Sequence, residues 1–149
     1  MHLNAFYDLC SRQYTDAIIQ PSRLANERRA MCEMIDRYND TSAIFIADRG
    51  YENYNIFAHV EHKGMYYLIR VKDITSNGIT SKLTMLPESG EFDEWVNVTL
   101  TKKQTNEVKA NPKKYRVIDK KTPFDYLDLH FNNFYEMKMR VIRLSLIHI

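Results

Sequence analysis

Ile44-Phe45-Ile46-Ala47-Asp48-Arg49-Gly50-Tyr51 sets the terms for reading this chain. Residues 43–47 are continuously apolar, the pattern of a strand buried on both faces of a sheet rather than an alternating edge strand. The strand delivers one carboxylate, Asp48, into a turn that Gly50 allows the backbone to make sharply. Open α/β sheets place ligands at the carboxyl ends of their strands. A carboxylate held there is hard and anionic, and it suits Mg²⁺ or Mn²⁺. A two-metal phosphoryl-transfer site needs several acids, holding ions roughly 3.5–4 Å apart, and no convincing partner acid lies upstream or downstream. From the residues alone, pairing with Arg49 or capping of the following helix is the more ordinary role for a lone acid such as Asp48.

Working outward, residues 2–9 (HLNAFYDL) and 14–20 (YTDAIIQ) are β-branched and aromatic runs around a polar Ser11-Arg12-Gln13 link. They read as an antiparallel hairpin closed by Pro21. Apolar residues at 24, 31, 34, 35 and 38 predict an amphipathic helix, with Asn26 as N-cap and Glu27 in its first turn. Residues 53–62 carry Ile56, Phe57 and Val60 on one helical face, and Gly64 is placed to end that helix in the left-handed conformation. Residues 66–71 read as another strand.

The composition changes after Asp73. Asn77-Gly78 marks a tight turn, and Pro87 with Gly90 marks a loop. Beyond them alternation dominates: Val96, Val98 and Leu100 share one face, and Tyr135, Met137, Met139 and Val141 oppose Glu136, Lys138 and Arg140. The fold class expected is α/β (α+β), divided into a mixed core over residues 1–74 and a β-rich lobe over residues 75–149. Residues 79–143 are expected to be mainly antiparallel.

Ten Tyr and seven Phe argue against a disordered chain. Cys10 and Cys32 lack C-x-x-C spacing and a nearby histidine pair, which favours reduced thiols over a disulfide framework or a zinc site. The N-terminus carries His2, Asn4 and Asp8 where a secretory signal needs an apolar stretch, and residues 43–47 are too few to span a bilayer. A soluble, cytoplasmic protein is the expectation. Charge is uneven: residues 1–100 hold ten Lys/Arg against fourteen Asp/Glu, whereas residues 101–121 hold eight basic side chains against Glu107 and Asp119. Lys102, Lys103, Lys109, Lys113, Lys114 and Arg116, with Lys120 and Lys121, make either a phosphate-backbone footprint or a solvated lysine-rich loop.

The stretches HLNAFYDLCSRQYTDAIIQP, NERRAMCEMIDRY, IFIADRGYENYNIFAHVEHKG and YYLIRVKD, in that order, resemble the middle of insertion-sequence transposases of the family numbered four. These are DDE transposases with a ribonuclease H-like core. The similarity runs from residue 2 to about residue 143 and includes Gln104 to Lys109, Tyr115 and Arg116. The resemblance implies a partial ribonuclease H-like mixed sheet with helices, interrupted by a β-rich insertion lobe. It makes Asp48 the second catalytic aspartate and a metal ligand, with Mg²⁺ or Mn²⁺ expected for the complete enzyme only. Arg49 would orient Asp48 or neutralise phosphate charge, and the 101–121 stretch would grip DNA. The partners implied are transposon-end and target DNA, with a homodimer in the full-length synaptic complex and no membrane. The setting implied is the bacterial cytoplasm, with nucleoid association when bound to DNA.

The departures bear on activity. In that family the first aspartate sits in an Asp-Gly pair on the opening strand. No Asp-Gly occurs here, and Asp8 and Asp16 lie in segments that do not match it. The third acid belongs to a Y-x2-R-x3-E-x6-K signature on a helix after the insertion. Tyr67 and Arg70 have the opening spacing, but Ile74 stands where glutamate is required. The chain is thus expected to be an internal fragment, inactive alone. The final residues LSLIHI (144–149) are read as non-native sequence, because CTG TCT CTT ATA CAC ATC resembles a library adapter derived from a transposon end. A non-catalytic nucleic-acid-binding remnant and a purely structural fragment are the other readings.

Overall fold

The computed structural model describes residues 1–127 and 133–144; the proposed non-native tail therefore lies outside the described residues from Ser145 onward. The chain forms two compact units, Met1–Val71 and Lys72–Ile149, and is of mixed α+β character, compatible with a partial ribonuclease H-like fold.

In the first unit, β1 (His2–Asp8) and β2 (Gln13–Gln20) pair antiparallel. The turn between them is fixed by Asp8, whose carboxylate accepts from the Cys10 amide at 2.8 Å and the Ser11 hydroxyl at 2.6 Å. Helix α1 is Glu27–Arg37, shorter at its start than the apolar spacing suggests, because Leu24 falls in a separate 3₁₀ turn and is exposed. Asn26 caps it by accepting from the Arg29 amide at 3.0 Å, which satisfies one of the orphan donors of the first turn. Its buried stripe is Ala30, Met31, Cys32, Met34 and Ile35.

Strand β3 (Ile44–Ala47) pairs parallel with β4 (Tyr66–Ile69), and α2 (Tyr54–His62) connects them. Asn53 caps α2 through the Asn55 amide. At its other end Gly64 takes φ +67° and Met65 donates to the Val60 carbonyl at 3.1 Å, so the left-handed residue lets the last turn satisfy its carbonyls. Ile35, Ile56, Ala58 and Val60 are fully buried. His59 is also buried, and its Nδ1 meets Asp36 Oδ1 at 2.7 Å, pinning α2 to α1.

The structure corrects the expectation that β3 is covered on both faces. Phe45 is buried against Tyr38 and Phe6, with ring centroids 5.6 and 5.0 Å away, but Ile44 and Ile46 are each 61% exposed. Their cross-strand partners Tyr66 and Leu68 are equally bare, as are Leu3 and Ile19, which face each other in the hairpin. Among the described residues β1 bonds only β2, and β3 bonds only β4. An apolar run satisfies a two-sided burial pattern whether or not an element is present to cover its second face.

The second unit is a three-stranded sheet in the order β6-β5-β7, with β5 Phe92–Thr101, β6 Tyr115–Val117 and β7 Tyr135–Arg143. Val96, Val98, Leu100, Met137 and Met139 fill its inner face, as their alternation predicts. β5 and β7 are antiparallel, but β5 and β6 are parallel, joined through α3 (Asn106–Ala110). The expectation of a mainly antiparallel lobe holds for β5–β7 and fails for β6. A parallel neighbour requires a crossover, and α3, capped by Thr105 through the Val108 amide, supplies it.

Candidate functional site

Asp48 follows β3 directly, at the carboxyl end of the parallel β3–β4 pair. The ladder ends just before it, where the Arg70 amide donates to the Ala47 carbonyl at 3.1 Å. The chain then turns into a 3₁₀ segment, Arg49–Tyr51, for which Asp48 is the N-cap: Oδ1 accepts from the Arg49 amide at 2.6 Å. Both roles that the sequence leaves open are therefore compatible in one side chain. Capping engages Oδ1, while the carboxylate remains exposed at the strand's end. Among the described residues Asp48 forms no ion pair with Arg49, which is itself exposed.

One residue the sequence does not single out supports this turn. Arg28, in the first turn of α1, donates from Nε to the Gly50 carbonyl at 2.9 Å. Beside it, burial and then the Glu27 carboxylate raise the pKa of the half-buried Tyr51 phenol, keeping it neutral. The segment carrying Asp48 is thus held from the start of α1, 22 residues away in sequence. No local pattern marks such a bond. Arg28→Ala is expected to speed amide exchange at Tyr51, whose N–H closes the turn on the Asp48 carbonyl, by about threefold to tenfold, because an exposed charge-assisted bond contributes only modestly. Hydrogen exchange by NMR measures this; unchanged exchange would deny Arg28 that role.

The basic residues lie in the second unit. Lys103 follows β5, Lys109 is on α3, and Lys113 and Lys114 precede β6; all four are exposed, as are Lys120 and Lys121. Lys102 and Arg116 are half-buried. Lys114 lies 5.0 Å from the Tyr115 ring centroid, and its hydrogen bond with that phenol raises the ammonium's pKa, so it stays charged. Cys10 is exposed and Cys32 buried, both as free thiols.

The family profile described as "Transposase DDE domain" matches residues 1–141. The chain belongs to the transposase DDE-domain family. Members are DNA phosphoryl-transfer enzymes of transposition and generally use divalent metals. No curated protein and no solved structure matches the chain. This DDE-domain chain, however, holds no group of three or more His, Cys, Asp or Glu able to bind a metal among the described residues. Asp48 offers one carboxylate, whereas a site that holds two ions for phosphoryl transfer uses several acids, with waters and substrate phosphates completing each octahedron. Among the described residues, the several-acid donor set that a two-metal phosphoryl-transfer site uses is therefore not assembled. Among the described residues no helix is long and apolar enough to cross a membrane.

Proposed function

We propose that this DDE-domain chain is a partial catalytic domain of an insertion-sequence transposase of the family numbered four, with Asp48 as the second catalytic aspartate and no strand-cleaving activity of its own. The observation that carries the reading is the placement of Asp48 in an Asp-Arg-Gly-Tyr turn at the carboxyl end of a parallel strand pair, within a domain matched over residues 1–141. In a complete enzyme, Asp48 would hold Mg²⁺ or Mn²⁺ together with an aspartate from the opening strand and a glutamate from a later helix. The bare faces of β1–β2 and β3–β4, and the edges bonded on one side only, are consistent with a core lacking those two elements.

What this chain retains is the capacity to bind DNA. Lys103, Lys109, Lys113 and Lys114 are exposed, and each phosphate they neutralise releases condensed counterions. The Lys113→Ala/Lys114→Ala/Arg116→Ala variant is expected to weaken DNA binding uniformly across sequences. It should also reduce the slope of log K against log salt by about one for each phosphate no longer neutralised. Fluorescence anisotropy with a labelled duplex at several salt concentrations tests this. Binding that ignores salt, or a triple variant that binds like the parent, would remove the DNA-binding reading.

A further inference from the structure

The side of the first unit that faces away from its helices is apolar throughout. Phe6 of β1 and Phe45 of β3 meet on the inner side, with ring centroids 5.0 Å apart. On that side α1 packs on both hairpin strands, and Phe57 of α2 stacks on Tyr67 of β4 at 4.6 Å. Side chains alternate along a strand, so the residues between these point the other way. They are the register pairs Leu3–Ile19, Ile44–Tyr66 and Ile46–Leu68, each residue 61–66% exposed. Tyr7 and Tyr14, edge to face at 5.1 Å, continue that side of the hairpin. No outward position of these paired stretches is charged, whereas a sheet with one solvated face alternates apolar with polar residues.

We propose that this outer side is a self-association face, on which a second copy of the chain docks sheet against sheet to give a two-fold dimer in the absence of DNA. Six side chains bare over about three-fifths of their surface offer on the order of 800 Å² per copy, the share each partner gives to a standard stable interface. A monomer's largest apolar patch ordinarily stops at roughly 300–600 Å². The face carries no charge with which to select a charged partner. A ladder of branched and aromatic side chains does match another of its own kind, since facing sheets interdigitate at about 10 Å. Long-range repulsion does not oppose the encounter: residues 1–71 hold eight Lys/Arg against nine Asp/Glu, a balance of −1, and near-neutral surfaces associate readily. A two-fold contact uses the same patch on both copies and so closes at two. The inference goes beyond the DNA-binding reading, because the contact depends on this face alone and no DNA bridges it. It concerns the chain as it stands, whichever element covers this side in a complete enzyme.

Sedimentation equilibrium of the intact chain without DNA tests this. A dimer is expected at about 10 µM, since interfaces of this size bind at micromolar concentrations or tighter. Raising salt to about 0.5 M should leave it intact, because apolar contact is not screened. Ile46→Lys and Leu3→Lys, one on each strand pair, should each weaken the dimer at least about a hundredfold, since a two-fold contact places the introduced ammonium in the interface twice. Both positions are exposed in a single copy, so far-UV circular dichroism of the variants should match the parent. Ile142→Lys, at an exposed position of the second unit, should leave association unchanged. A chain that stays monomeric at about 100 µM, whether or not it takes up a hydrophobic dye or another protein, would overturn the proposal. So would a dimer indifferent to both lysine variants, a dimer abolished by high salt, or an open-ended series of larger species. DNA binding followed separately by anisotropy is independent of these outcomes, so either reading can fail while the other stands.

Discussion

Leu100→Ala is expected to destabilise the second unit by about 2–5 kcal/mol, enough to consume much of the 5–15 kcal/mol typical of a whole domain. Leu100 is fully buried and sits on β5, the middle strand, where it is flanked by Arg116 of β6 and Tyr135 of β7. Truncation there opens a cavity under all three strands at once, and paired backbones on both sides leave little freedom to collapse into it. Ile142→Ala on the outer face, where the side chain is 47% exposed, should cost within about 0.5 kcal/mol. Urea denaturation followed by Trp95 emission reads both variants, since Trp95 lies in the same unit. A Leu100→Ala midpoint equal to the parent's would contradict the core assignment.

Local signals made much of the architecture legible. The hairpin, the Asn26 cap, the Gly64 terminus and the alternation of β5 and β7 each depend on residues a few positions apart, and each appears in the structure. The errors share a different origin. Whether Ile44 and Ile46 are covered depends on a second layer, and hydrophobicity along the strand does not encode its presence. β6 is three residues long within a lysine-rich run, so it has no periodicity to detect; only the α3 crossover brings it parallel to β5. For the candidate site, the Asp-Arg-Gly-Tyr turn singles out Asp48 as a candidate because strand, acid and glycine are contiguous, and the structure has that residue directly after β3. Arg28 escaped notice because its bond to Gly50 spans 22 residues.

The second large effect concerns the chemistry. Phosphoryl transfer in such enzymes is mostly positioning and electrostatic stabilisation by bound metal. A lone exposed carboxylate whose Oδ1 also caps a turn leaves an ion free to sample many positions relative to a phosphate. On the proposed reading, supplying an Asp-Gly opening strand and a glutamate-bearing helix from a complete relative would add two further donors and give β1 and β3 a neighbour on the side that stands unpaired among the described residues. The gain should then depend on Asp48, whose removal takes away a ligand at the strand's carboxyl end. The direct measurement is Mg²⁺-dependent nicking of transposon-end DNA by three proteins: the chain itself, the completed chain, and the completed chain carrying Asp48→Ala. We expect no nicking by the first, robust nicking by the second, and a loss of at least about a thousandfold in the third; robust nicking by the chain alone, or a completed enzyme indifferent to Asp48→Ala, would contradict the account.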